Sequence, residues 1–506
     1  MSSANGRQDL SALGVQDLSA LGIQALVDPG KTPTDEQVRV IEAPRRPLLV
    51  VAGAGSGKTE TMSMRVLWLV ANHEDIAPSS VLGLTFTRKA AGELGDRLRQ
   101  RLALLAGRVP SLRERLDEDP VSLTYNSFAE RIVAEHGMRI GIDPDFTMLT
   151  EAGAVDLMTQ IVEGWPTDLD EELSPSAVVG HCLHLAGEVG EHGYTVEEAR
   201  AALEGFGRDL EQIGATNDTA RKTLRANARR LAYLGPVEEF QRRKREGGLL
   251  DFSDQLVLAT RIVREAPAVR AQLRDEFQAV LLDEFQDTSV IQMELLSLLF
   301  HDHAVTAVGD PNQAIYGWRG ASASSLERFL DRFQDGPAQP GQTLTLSTAW
   351  RNDRNILRAA NRVAAPLREH SRAAKSPVLR TRPGAGEGRV DVAYTQDYRS
   401  ALGAVVDFVS AHRARGTREG KRPTTAVLCR RRSDFPYVDM ALREAGVPTQ
   451  IVGLGGLLDQ PSVQDARAAL VLADDVEASP WLARLLAGID LGAADLVALG
   501  DWARHL

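Results

Sequence analysis

Two short segments carry residues whose types and spacing suit phosphate chemistry. The first is Ala52-Gly53-Ala54-Gly55-Ser56-Gly57-Lys58-Thr59, which follows the apolar run Leu48-Leu49-Val50-Val51. Glycines let a backbone wrap around phosphates so that its N–H groups point at them from a helix N-terminus. In such a loop Lys58 reaches the β- and γ-phosphates of a nucleotide and Thr59 is placed to ligate Mg²⁺. The usual pattern begins with Gly where this chain has Ala52, so the strand before the loop and the helix after it carry part of the argument. The second segment is Asp283-Glu284, which closes the apolar run Ala279-Val280-Leu281-Leu282. Asp283 fits a Mg²⁺ carboxylate and Glu284 the base that aligns an attacking water. An acidic pair at a strand end is by itself most often just solvated. Downstream of a phosphate loop, it becomes a candidate catalytic pair.

These residues need a sheet to hold them. From Thr34 onward the pattern is α/β, with buried strands predicted at Pro47–Val51 and Val81–Phe86 and helices at Glu60–Val70 and Arg88–Leu105. Residues around 107–250 read as mostly helical, with strongly mixed charge. Apolar strands return at Ala279–Leu282 and Ala304–Val308, so the α/β core is interrupted by a helical insertion and then resumes. A Pro- and Gly-rich stretch, Gln334–Gln342, reads as a linker. Beyond it, Arg389–Ala393 and Thr425–Cys429 are predicted strands with a helix, Ala401–Arg413, between them. The start holds a short repeat, Gln8–Gly14 and Gln16–Gly22. Two copies of so short a unit cannot build a solenoid, and residues 1–32 are expected to be a disordered tail.

The 506 residues suffice for about three domains, and 43% hydrophobic with 25% charged residues is ordinary globular composition. Nothing in the sequence predicts a transmembrane helix or a secretory signal. Cys182 and Cys429 read as free thiols of a reducing compartment, which predicts a cytoplasmic protein. Cys182 with His181 and His184 is too few ligands for a tetrahedral metal site. The net charge of −11 argues against a nucleic-acid partner only on average. Phosphate binding needs a local basic stripe, and Arg221, Lys222, Arg225, Arg229, Arg230 and Arg242–Arg245 form one. Taken alone, that stripe reads as a solvated helix face.

Three longer strings carry a resemblance: Thr85–Ala91, Asp283–Thr288 and Gly309–Ala321. In sequence and order they resemble the UvrD/Rep/PcrA/RecB helicases of superfamily 1A over roughly residues 33–475, and most of all the actinobacterial AdnB helicase-nuclease subunits. The resemblance implies an α/β fold of P-loop, RecA-like motor domains with a helical insertion domain. Motor domain 1A would span 33–110 and 250–332, helical domain 1B 111–249, and a partial motor domain 2A 340–475. The start of a 2B insertion would occupy 476–506. It implies ATP and Mg²⁺ as cofactors, with single-stranded DNA and duplex–single-strand junctions as partners. It also implies 3′-to-5′ movement, a role in repair, a possible second helicase-nuclease subunit and no membrane. Gln37 resembles the glutamine that reads the adenine edge, Gln313 the γ-phosphate sensor, and Arg351 the arginine that reaches the γ-phosphate. Trp350 stands where the family usually stacks a Tyr on adenine, and Glu60 where many relatives have Arg. For DNA, Phe86, Tyr316 and Trp318 resemble the aromatic ratchet, Arg88 and Arg319 phosphate contacts, and Tyr125 and Asn126 a strand contact. The same aromatics outside these strings would read as core packing.

Two late family segments, one carrying an arginine finger, are not found after Asn361. The expectation is therefore of the N-terminal part of a longer motor, binding ATP but hydrolysing it poorly. Two rival readings are a DNA-binding or partner-regulating module without unwinding, and an unrelated P-loop ATPase acting on protein or a small molecule.

Overall fold

The computed structural model describes residues 18–504, apart from 144–145, 171, 215–216, 318–323, 335–340, 371–374, 419, 421–423, 453–460, 475–478 and 489–490. The chain divides into two compact units, 1–390 and 391–506.

In the first unit, helices α1 (Ala20–Val27) and α2 (Asp35–Ile41) precede strand β1 (Leu48–Ala52). Next come α3 (Lys58–Asn72), β2 (Val81–Thr85), α4 (Arg88–Arg108), β3 (Val121–Thr124) and α5 (Tyr125–His136). The short strand β4 (Thr147–Met148) leads into α6 (Glu151–Glu163), α7 (Pro175–Glu191), α8 (Val196–Gln212) and the long α9 (Asp218–Glu246). Strand β5 (Leu249–Leu250) pairs with β4 and closes this helical excursion. The chain then forms α10 (Phe252–Glu265), α11 (Pro267–Glu276), β6 (Ala279–Leu282), α12 (Val290–Phe300), β7 (Val305–Gly309), α13 (Ser324–Phe333) and β8 (Gln342–Leu346). A two-stranded ladder of β9 (Thr348–Ala349) and β10 (Arg380–Thr381) flanks α14 (Arg354–His370).

One six-stranded sheet of order β3-β2-β6-β7-β1-β8 organises the unit. Every neighbouring pair in it is parallel. Strands β1, β2, β6 and β7 are buried along their whole length, which is why they read as unbroken apolar runs. One face packs on Phe128, Ile132, Leu256, Phe277 and Phe329 from α5, α10, α13 and the α11–β6 turn. The other packs on Ile23, Val40, Met62, Val66, Leu98 and Leu102 from α1 to α4. The helical insertion has its own core of Met158, Cys182, Leu185, Leu234, Val237 and Phe240.

Four expectations need correction. Residues 20–27 are not a disordered tail: Ser19 caps α1, Ala20 and Ile23 are fully buried, and Asn72 bonds both the N–H and C=O of Leu18. The helical insertion does not begin at 111, because β3 pairs with β2 and α5 packs in the sheet's core. Gln342 does not open a separate domain, because β8 lies beside β1 in the first sheet. Residues 389–393 and 425–429 form no strand. A strand exists only through hydrogen bonds to a neighbour, and Val392, Tyr394 and Leu428 stand exposed instead.

The second unit holds α15 (Tyr398–Arg418) and α16 (Phe435–Glu444), joined by Val409, Leu442 and Val447. Helices α17 (Pro461–Asp474), α18 (Ser479–Ala487) and α19 (Ala493–Arg504) complete it. Arg484 pairs with Asp465, and the Arg467 guanidinium lies over the Trp481 ring.

Candidate nucleotide site and nucleic-acid groove

The phosphate loop, Asp283-Glu284, Gln313 and Trp350-Arg351 follow the carboxyl ends of β1, β6, β7 and β9 in turn. Ligands of open parallel sheets bind at that edge.

The loop has the backbone that phosphate wrapping needs. Gly55 and Gly57 sit at φ 72° and 84°, where a side chain would be strained. A Cβ on Gly55 would come within 3.1 Å of Arg351 Cβ, and the Trp350 N–H donates to the Gly55 carbonyl at 2.8 Å. A Cβ on Gly53 would strike Leu379. Ser56 Oγ is buried without a partner among the described residues. That orphaned hydroxyl and this cradle at the N-terminus of α3 fit a bound phosphate chain. Ala52 is fully buried as the last residue of β1, and Ala54 is exposed on the loop.

Opposite the loop, Lys58 Nζ lies 2.9 Å from Glu284 Oε2, joining residues 226 apart in sequence. Glu284 itself holds φ 50°, ψ 41°, a left-handed conformation that costs a non-glycine residue about 1–3 kcal/mol and collects at functional sites. Gln286 Nε2 donates to the same Oε2 at 2.9 Å, while its Oε1 accepts from the Asp310 N–H. Asp283 accepts from the Glu284 N–H. Burial first, and then the neighbouring Glu284 charge, push the Asp283 carboxyl up to about 6 against the pull of Lys58. Mg²⁺ takes one or two carboxylates plus substrate phosphates rather than an all-protein cage. Thr59, in the first turn of α3, and Asp283 are the residues that fit it.

Gln37 serves as N3 of a capping box: Oε1 accepts from the Thr34 N–H and Nε2 donates to Thr61 on α3. It thereby borders Gly57, whose added Cβ would be 3.0 Å from Gln37 Nε2 and 3.7 Å from Trp350 Cδ1. Gln313 Nε2 donates to Asp310 Oδ2 at 2.7 Å, so the expected sensor rests on a buried carboxylate. Glu60 pairs with Arg101 of α4 through both carboxylate oxygens.

Arg65 was not singled out by its sequence. It is fully buried on α3 and donates to the carbonyls of Val40, Ile41, Ala43 and Pro44 and to Thr306 Oγ1. Burial lowers its pKa to about 10. It fastens the end of α2, and hence Gln37, to the phosphate-loop helix. Gln286 and Asp310 were also missed as organisers, although both lie inside the strings quoted above.

A groove of about 520 Å³ opens beside this edge, lined by Phe86, Arg88, Asn126, Ser127, Glu130 and, across it, residues of α7 and Phe252. Phe86 and Tyr316 stack with ring centres 4.3 Å apart. Arg88 is exposed at the first position of α4, where a cation opposes the helix dipole but suits a phosphate. Asn126 Oδ1 accepts from Gln292 Nε2 at the groove wall. Tyr125 needs correction: it is 4% exposed and its hydroxyl donates to the Asp283 carbonyl at 2.9 Å. Its ring is core, and burial raises its pKa. Trp318 and Arg319 lie outside the described residues.

The basic stripe on α9 is partly neutralised. Arg229 pairs with Asp170 and Glu172, Arg242 and Arg243 with Glu239, and Lys244 with Asp251 and Asp254.

With this geometry in hand, comparison with known proteins defines the class. The family model described as UvrD/REP helicase N-terminal domain matches residues 33–334, and the chain belongs to that family. Among individual proteins, it is 28% identical to DNA helicase II of Escherichia coli (strain K12) over 440 residues, covering 87% of this chain and 54% of that protein. It is 29% identical to ATP-dependent DNA helicase UvrD2 of Mycobacterium tuberculosis over 443 residues, 86% of this chain and 57% of the relative. With ATP-dependent DNA helicase PcrA of Staphylococcus epidermidis it shares 26% identity over 438 residues, 86% and 53% of the two chains. The chain thus spans about half the length of the curated relatives it matches.

Proposed function

We propose that this chain is the nucleotide- and DNA-binding part of an ATP-driven DNA helicase that moves 3′-to-5′ on single-stranded DNA in repair. The observation that carries the reading is the Lys58–Glu284 pair at 2.9 Å. It sets a phosphate-binding cation and a water-aligning base face to face across the loop. Bound ATP supplies the γ-phosphoryl group whose transfer to water powers movement. Lys58, the loop N–H groups and Arg351 would hold the phosphates, and Thr59 with Asp283 would hold Mg²⁺. Glu284 orients the water, with Gln286 and Lys58 fixing its Oε2 and leaving Oε1 to accept a proton. Gln37 and Trp350 take the base. Gln313 senses the phosphate from the loop that also carries Tyr316, so nucleotide state and the Phe86–Tyr316 stack are tied through one short segment.

The stacked pair and Arg88 support sequence-tolerant binding of single-stranded DNA, with junctions as the working substrate. No helix among the described residues is long and apolar enough to cross a membrane. The finer likeness to AdnB, a second helicase-nuclease subunit and a cytoplasmic location belong to this same proposal.

The test is ATP turnover by the chain with and without single-stranded DNA, beside Lys58→Ala. Lys58-dependent turnover that rises with DNA supports the motor. Lys58-dependent turnover indifferent to DNA favours an ATPase acting on another substrate. DNA binding that ignores nucleotide, without turnover, favours the regulatory-module reading.

A further inference from the structure

Arg101 on α4 carries a buried N–H that finds no hydrogen-bond acceptor among the described residues. Its Nη2 donates to both oxygens of Glu60, at 2.7 and 2.6 Å, while Nη1 is buried and has no acceptor among the described residues. A buried guanidinium N–H without an acceptor is costly, and such exceptions call for a partner. The place is informative. Glu60 lies in the first turn of α3, with its Cβ 3.9 Å from the point a Cβ on Gly57 would occupy. Gln37 Nε2 and Trp350 Cδ1 border that same point at 3.0 and 3.7 Å. Glu60, whose Cβ borders the same point as Gln37 and Trp350, thus links that place to a guanidinium of a neighbouring helix.

We propose that Arg101 is a base-binding residue of the nucleotide site. Glu60 holds its guanidinium so that Nη1 donates edge-on to a ring nitrogen or carbonyl of the nucleobase, whose face Trp350 covers. The inference rests on the nucleotide-site reading above. A guanidinium presents its donors in a rigid planar fork, as an ammonium cannot. The contact of Nη2 with both Glu60 oxygens restrains the guanidinium before the ligand arrives, so less freedom is lost on binding. The competing account is charge cancellation, in which Arg101 only offsets a Glu60 charge that would oppose phosphate at the helix terminus, and it makes a different prediction.

The deciding experiment is equilibrium binding of Mg²⁺-ADP and of Mg²⁺-tripolyphosphate, which lacks a base, to the wild type, Arg101→Met and Lys58→Ala. Arg101→Met is expected to weaken ADP by about tenfold and to leave tripolyphosphate within about twofold. Equal weakening of both ligands, or no change in either, overturns the inference. Lys58→Ala is expected to weaken both, which keeps the nucleotide-site reading standing whatever Arg101 does. A wild type that binds neither ligand removes that reading and this inference with it. If Arg101→Met fails to fold, Arg101→Lys decides: it keeps the charge and the stem but loses the planar fork. Selective loss of ADP binding then supports base contact, and wild-type ADP affinity contradicts it.

Discussion

Glu284 concentrates the residue-scale argument, because it is strained, paired and aimed at once. Its left-handed backbone at φ 50° has no stabilising role of its own, and its Oε2 is pinned by Lys58 and Gln286. Glu284→Gln keeps the shape and the Gln286 contact but removes the base. Nucleotide affinity should be unchanged or tighter, while any Lys58-dependent turnover falls by about 10²–10⁴; an equal loss of binding and turnover would mean that Glu284 only holds the loop. Tyr125 and Phe86 provide a second contrast. Tyr125→Phe deletes a buried hydrogen bond to the Asp283 carbonyl and should cost about 1 kcal/mol of stability without changing single-stranded DNA affinity. Phe86→Ala removes a stacking face and should weaken that affinity by about 1–3 kcal/mol. Fluorescence anisotropy and thermal melts separate the two. Sequence likeness had set Tyr125 on the DNA. Its spacing with Phe128, Ala129, Ile132 and Val133 put it on the apolar face of α5, and that spacing is the better guide.

Elements carry the joints. Where α9 hands over to α10, Lys244 is 5% exposed and bonds both Asp251 and Asp254, which also form the capping box of α10. Lys244→Met leaves two neighbouring carboxylates without their cation and should destabilise the chain by about 3 kcal/mol. In the wild type, Asp251 is held below the usual carboxylate range by Lys244 against its burial, whereas burial drives Asp254 above it. Without Lys244 both are raised. Raised carboxylates stabilise below their unfolded pKa and lose that stability as pH rises, so the penalty should shrink toward about pH 4. A penalty equal at pH 4 and pH 8 in urea melts would exclude this account. At the other end of the unit, Ile23→Ala should cost about 2–4 kcal/mol, since Ile23 is fully buried with α3 and α4 in one core; a change under 0.5 kcal/mol would return α1 to the status of a tail. What was legible follows from burial. Strands β1, β2, β6 and β7 are buried on both faces and announce themselves as apolar runs. Strand β3 is a half-buried edge with alternating polar residues, so it passed as part of a helical insertion. An eight-residue helix such as α1 is too short to persist alone, and only the surface that receives it makes it a helix.

At the scale of the molecule, the chain is acidic, its α9 stripe is partly taken up by internal ion pairs, and its proposed DNA contacts are a few residues at the rim of one sheet edge. Affinity for DNA should therefore rest more on stacking than on bulk charge, and its dependence on salt should be shallow. The placement of the phosphate loop and of Asp283-Glu284 was legible, because each follows a buried apolar strand in sequence order. The supports behind it, Arg65, Gln286 and Asp310, were not, because each acts through partners remote in sequence or through backbone carbonyls. The claim that unites the account is that nucleotide and DNA read one another through the Gln313–Tyr316 segment. Its most direct test is the affinity of the chain for a labelled single-stranded oligonucleotide with and without a Mg²⁺-bound non-hydrolysable ATP analogue, beside Lys58→Ala. The account predicts a shift of about fivefold or more in the wild type and none in the variant. An unchanged DNA affinity while the analogue is demonstrably bound would contradict it.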